Sequence, residues 1–125
     1  MLKTILLVGT GGFIGSVARY YVSRLNLQVD FFSIPVGTLL VNILGSFLLG
    51  FLTGVAAKTI LLNADLRLLL MVGLCGGFTT FSTFSGENLM LMQNGQLLSV
   101  LLYTALSIIL GFTAIYLGYQ SSNLL

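Results

Sequence analysis

Gly73-Leu74-Cys75-Gly76-Gly77-Phe78-Thr79-Thr80-Phe81-Ser82-Thr83-Phe84-Ser85-Gly86 lies inside an apolar stretch covering residues 66–92. Adjacent glycines followed by β-branched and hydroxyl-bearing residues are poor helix formers. The spacing therefore predicts a membrane helix that breaks near the bilayer midplane. Non-helical backbone at that depth is tolerated only where it is buried in protein or lines a polar cavity, because every freed carbonyl and amide needs a partner. Freed carbonyls suit a hard cation such as Na⁺, and the N-terminus of the helix that follows favours an anion. A glycine kink packed against a neighbour is the plainer alternative. The density of Thr79, Thr80, Ser82, Thr83 and Ser85 in so apolar a chain favours an ion site.

Outward from this run the chain is built for lipid. Of 125 residues 57% are hydrophobic and 6% charged, and the mean hydropathy is +1.07, whereas soluble domains carry about a quarter charged residues. Crossing the hydrocarbon core takes about 20 apolar residues, and four stretches qualify: residues 4–27, 32–57, 66–92 and 97–119. The fold class expected is all-α, an integral membrane four-helix bundle forming one transmembrane domain over residues 1–125. The connections are short enough to make consecutive helices antiparallel. Pro35 stands near the start of the second helix, where its missing N–H costs little, and Asn94-Gly95 reads as the turn before the fourth. Lys3, the apolar run after it and Gly15-Ser16-Val17-Ala18 imitate a secretory signal peptide. Three more apolar segments follow, so this one is retained as the first membrane helix.

Four spans place both termini on one side, with Lys3, Lys58 and Arg67, and leave Arg24 and Arg19 towards the other. So small a bias barely instructs insertion. The expectation is a dual-topology, antiparallel two-fold homodimer of oppositely inserted copies. Small residues recur at helical spacing as Gly11 and Gly15, Gly12 and Ser16, Ser46 and Gly50, and Gly50 and Gly54, which lets helices approach closely in lipid.

The composition excludes several chemistries. There is no His, and the lone Cys75 rules out His/Cys metal sites, Cys/His nucleophile pairs and an internal disulfide within one chain. No catalytic residues are expected. Five scattered basic residues make no phosphate-tracking stripe, so no nucleic-acid partner is expected. Gly9-Thr10-Gly11-Gly12-Phe13-Ile14-Gly15 with Asp30 imitates a dinucleotide fingerprint, but its third glycine is one place late and no βαβ unit can be drawn. Asn42, in the middle of the second span, either bonds across helices or faces a pore. Arg19 and Glu87 are each able to snorkel towards an interface. Tyr103 and Ser107 share a face of the fourth helix, which Gly111 continues without a hydroxyl.

Gly11-Gly12-Phe13-Ile14-Gly15-Ser16-Val17-Ala18-Arg19-Tyr20, Gly37-Thr38-Leu39-Leu40-Val41-Asn42-Ile43-Leu44-Gly45-Ser46-Phe47 and, most specifically, the run from Gly76 to Phe84 resemble the signatures of the Fluc, or CrcB, family of fluoride channels. The resemblance implies a dual-topology homodimer in a bacterial inner membrane, with two fluoride pores and a structural Na⁺ at the dimer centre held by backbone carbonyls of Gly76 and Thr79 from both chains. It implies that Phe81 and Phe84 turn their positive ring edges to fluoride and that Asn42 donates an amide hydrogen bond. Tyr103 and Ser107, with the hydroxyls of Thr80 and Ser82, resemble a polar track for the ion; Gly111 leaves its far end in question. The expected function is passive, fluoride-selective export that lowers cytoplasmic fluoride. The rivals are a dual-topology small multidrug exporter, which needs an intramembrane carboxylate, and a non-conducting membrane assembly subunit.

Overall fold

The computed structural model describes residues 1–28 and 30–125, and its regular elements are all helical. Helix α1 spans Leu2–Ser23 and tightens into a 3₁₀ turn at Arg24–Leu27. Helix α2 spans Val36–Lys58. Helix α3 runs through a first turn at Ala64–Leu66, a π-helical stretch at Arg67–Cys75 and a last turn at Gly76–Phe78. Thr79 and Thr80 are extended. Helix α4 then spans Phe81–Gln93 and α5 Leu97–Ser121, closed by a 3₁₀ turn at Ser122–Leu124. Among the described residues four segments are long and apolar enough to cross a membrane: Leu2–Leu27, Val36–Lys58, Ala64–Gln93 and Leu97–Leu124.

Helix α2 starts four residues later than the apolar pattern, at Val36 rather than residue 32. Phe32 and Ser33 are left-handed, with φ of 54° and 61°, a conformation no helix can include. Polar contacts hold this turn. Asp30 Oδ1 accepts the Ser33 amide at 3.2 Å, Gln96 Nε2 donates to Ser33 Oγ at 3.0 Å, and Ser99 Oγ donates to the Phe32 carbonyl at 2.5 Å. The turn at Asn94-Gly95 is as expected, with Gly95 at φ 73° and the Gln96 amide returning to the Leu91 carbonyl.

The tightest packing joins helices that are not consecutive in the chain: α1 lies along α3, and α2 along α5. Each pair is parallel: Lys3 at the start of α1 meets Asp65 at the start of α3 at 2.6 Å, and along α2 Gly50 and then Gly54 meet Ile115 and then Ser122. The cause is glycine. Gly11 and Gly15 of α1 face Gly73 and Gly77 of α3, a matching i, i+4 pair. A Cβ on Gly73 would lie 2.8 Å from the Val8 carbonyl and 2.9 Å from Gly11 Cα; one on Gly77 would lie 2.6 Å from the Gly12 carbonyl. Backbone meets backbone, as small-xxx-small faces allow in lipid. Gly50 and Gly118 bring α2 and α5 together in the same way, against the backbone of Ile115 and Phe47.

Among the described residues two buried clusters fill the interior. One gathers Leu52, Val55, Leu62 and Cys75; the other joins Ile34, Leu91 and Tyr103 with Phe84 and Leu106 against them. The outer surface is strongly apolar, and Phe13, Phe81 and Phe112 stand exposed on it. That is the surface of a protein whose solvent is lipid.

Candidate ion pathway

The two extended residues between α3 and α4 are clamped by Asn42 of α2. Its Nδ2 donates to the Thr80 carbonyl at 3.0 Å, and its Oδ1 accepts the Thr80 amide at 2.8 Å. Of the two readings of Asn42, the bond across helices is present, and the side chain also lines a cavity. An amide nitrogen carries two N–H groups, so one remains beyond the bond to Thr80.

The clamp decides which backbone groups are left over. In a continuous helix the Thr80 amide would close on the Gly76 carbonyl and the Thr83 amide on that of Thr79. Here Thr80 gives its amide to Asn42, and Thr83 gives its own to Thr80 Oγ1 at 3.1 Å, which caps α4. The Gly76 and Thr79 carbonyls thus lose their helical donors to side-chain oxygens. The Gly77 carbonyl, in the last turn of α3, accepts from Arg19 Nε at 3.0 Å. The C-terminal end of α3 and the N-terminal end of α4 meet here, one presenting carbonyls and the other amides.

A cavity of about 460 Å³ opens beside this junction. It brings together Asn42, Thr80, Phe81, Phe84 and Ser107 of the expected pore residues, and Gly76 and Thr79 of the expected cation site. Gly111 lines it too, with nothing within 4 Å of where its Cβ would be. Ser107 Oγ is buried with no hydrogen-bond partner among the described residues. Phe81 and Phe84 lie with ring centroids 5.8 Å apart and planes tilted by 41°; Phe81 is 79% exposed.

Ser82 and Tyr103 do not line this cavity. Ser82 Oγ lies 3.5 Å from Thr80 Oγ1. Tyr103 is fully buried behind Phe84, the rings edge to face with centroids 4.9 Å apart. Its hydroxyl donates to Glu87 Oε1 at 2.8 Å, while Glu87 Oε2 accepts from Thr38 Oγ1 at 2.9 Å and Asn26 Nδ2 at 3.0 Å. Asn26 Oδ1 in turn accepts the Thr38 amide at 3.0 Å. Asn26 and Glu87 also line a second, polar hollow at the loop between α1 and α2, with Asp30, Ser33, Asn94 and Gln96. Tyr103 thus stands between the two hollows, its hydroxyl towards one and its ring towards the other.

Neither Arg19 nor Glu87 takes the outward, snorkelling course open to it. Both turn inward, because a terminal helix carbonyl and three side-chain donors respectively offer partners that lipid cannot. Asn26 and Thr38 are participants that sequence reasoning missed. Asn26 lies in the 3₁₀ turn after α1, where its spacing carries no signal; Thr38 shares a helix face with Asn42 at i, i+4, a signal that was present.

The features together define a multi-pass membrane protein with a cavity lined by hydrogen-bonding side chains and aromatic rings at a junction of two helix ends. The family model described as "CrcB-like protein, Camphor Resistance (CrcB)" matches residues 6–119. The chain is 48% identical to a protein of Chlorobium chlorochromatii (strain CaD3) over 95% of its own length and 92% of the other's. It is 46% identical to one of Azobacteroides pseudotrichonymphae genomovar. CFP2 and 45% identical to one of Shewanella sp. (strain ANA-3), each over 95% of both chains. All three relatives bear the name "Fluoride-specific ion channel FluC". The chain belongs to the CrcB family.

Proposed function

We propose that this protein is a fluoride-selective channel through which the anion leaves the cell passively, lowering cytoplasmic fluoride. The observation that carries the reading is the single cavity where Asn42, Thr80, Phe81, Phe84 and the unpartnered Ser107 converge at the N-terminal end of α4. Fluoride is small and strongly hydrated, so a pore has to replace water with donors without trapping the ion. The free Asn42 N–H, the Ser107 hydroxyl and the positive ring edges of Phe81 and Phe84 supply such donors. Thr80 and Ser82 add hydroxyls at the junction, and Tyr103 joins it to the hollow where Glu87 is held. Glu87, the carboxylate that a proton-coupled exporter needs free, is occupied by Asn26, Thr38 and Tyr103.

The functional unit is a dual-topology antiparallel homodimer in the bacterial inner membrane, in which the third membrane helix is broken at Thr79 and Thr80. The exposed aromatic wall at Phe81 and Phe112 supports a second copy there. The carbonyls of Gly76 and Thr79 fit a structural Na⁺: they are neutral hard oxygens without their helical donors, and Gly76 lies on open protomer surface. Two carbonyls fall short of the six or so oxygens that hard cations gather, and a two-fold partner doubles them. Bound there, the cation would supply positive charge at the centre of the pair.

The test is fluoride efflux from liposomes reconstituted with the purified protein, followed by an ion-selective electrode. Fast fluoride efflux with none of chloride is expected. Absence of fluoride efflux, or equal efflux of both anions, would overturn the reading.

A further inference from the structure

Charge is shared unevenly between the two ends of the bundle. Lys3, Lys58, Asp65 and Arg67 lie at the end where α1 and α3 begin and α2 and α5 finish, and Lys3 is paired with Asp65. Lys58 and Arg67, both exposed, meet no carboxylate within ion-pair distance among the described residues. They flank the loop between α2 and α3. Arg67 is anchored over this loop by its inner edge, Nε donating to the Leu62 carbonyl at 3.1 Å and Nη2 to the Ala56 carbonyl at 3.0 Å. A guanidinium has five N–H donors in a rigid fork, so further donors remain. Lys58 Nζ donates to Ser122 Oγ at 2.9 Å and to Asn123 Oδ1, and lies 4.8 Å over the Tyr119 ring.

Two shallow hollows open between these cations. They share Thr59 and Ile60; Lys58 lines one and Arg67 the other. Ile60 is 97% and Leu61 67% exposed. One membrane span ends at Lys58 and the next begins at Ala64, so the loop lies at the level of lipid headgroups. Apolar tips that enter the acyl boundary, flanked by cations at phosphate depth, are the composition that binds anionic lipid.

We propose that the loop from Lys58 to Arg67 is a binding site for the phosphodiester headgroup of an anionic phospholipid, with Lys58 and the outer edge of Arg67 as its ligands and Ile60 and Leu61 against the acyl chains. A zwitterionic headgroup brings its own ammonium group, which the two cations repel, so the site selects by net charge. The inference is independent of which ion crosses the protein.

The test is lipid binding to the intact detergent-solubilised protein, counted by native mass spectrometry with phosphatidylglycerol, phosphatidylcholine or free glycerol phosphate as the probe. Phosphatidylglycerol is expected to bind several-fold more tightly than phosphatidylcholine. At about 1 kcal/mol per cation, Lys58→Gln and Arg67→Gln should each weaken it about five-fold, while Lys3→Gln leaves it unchanged. Equal binding of both lipids by the wild-type protein, a phosphatidylglycerol preference kept in the double variant, or an equal loss in Lys3→Gln would each overturn the site. Equal occupancy by free glycerol phosphate would show a solute site and overturn the lipid. Should Arg67→Gln fail to fold, the wild-type comparison decides alone.

Discussion

Gly9 and Gly11 stand two residues apart on α1, yet adding one carbon to each should have opposite effects. A Cβ at Gly9 meets nothing within 4 Å, whereas one at Gly11 overlaps the Leu69 carbonyl oxygen most closely and lies 2.8 Å from the Leu74 amide nitrogen and 2.9 Å from Gly73 Cα. Attractive contact begins at about 3.5 Å, so clearing the Leu74 amide alone takes an opening of the α1–α3 seam of roughly 0.7 Å, and the nearer Leu69 carbonyl demands more. The obstacles are backbone atoms, which cannot rotate away. Such overpacking costs about 1–3 kcal/mol. Both substitutions gain the same helix propensity, up to about 1 kcal/mol, so the difference between Gly9→Ala and Gly11→Ala isolates the overlap. For a chain of this size it corresponds to roughly 4–12 °C in Tm, measurable by thermal unfolding in detergent. Gly9→Ala should match or exceed the wild type and Gly11→Ala should fall below it. Identical Tm values for the two variants would refute the seam.

Asn42→Ala removes both bonds to Thr80 and leaves a half-buried amide and carbonyl without their partners; at up to about 1–3 kcal/mol for an unsatisfied group, we expect faster amide exchange at Thr80 and at least ten-fold slower fluoride efflux. Efflux within two-fold of wild type would remove Asn42 from the pathway. Phe81→Ile and Phe84→Ile keep apolar volume but lose the ring edge, and each should abolish efflux while leaving the oligomer unchanged on size exclusion; full efflux from either would count against the rings as ligands. Replacing Na⁺ by a large organic cation during purification should lower the thermal stability of the proposed dimer; insensitivity to the cation would argue against a site at Gly76 and Thr79.

The four spans were legible because hydropathy is local: each helix declares itself within its own 20 or so residues. The run around Thr79 and Thr80 stood out for the same reason, in the poor helix propensity of its neighbourhood. What the sequence concealed depends on separation along the chain. Glu87 meets Asn26 across 61 residues and Thr38 across 49, and no periodicity links them. The start of α2 was misplaced because Phe32 and Ser33 are apolar or neutral, while their left-handed turn is imposed by Gln96 and Ser99 from the far end of the chain. Gly73 and Gly77 were visible as residues and went unread as a pair, their role masked by the adjacent Gly76.

The seam between α1 and α3 also sets a timetable for biogenesis. Gly11 cannot find Gly73 until the chain has grown by a further 62 residues, the gap between the two numbers. At about 5–20 residues per second of synthesis, α1 waits in the membrane for several seconds with its glycine face uncovered. Arg19 waits as well, because its acceptor is the Gly77 carbonyl. For that interval the first helix has to be held by lipid or by the insertion machinery, and the ribosome's pace rather than the helix itself determines when it is released.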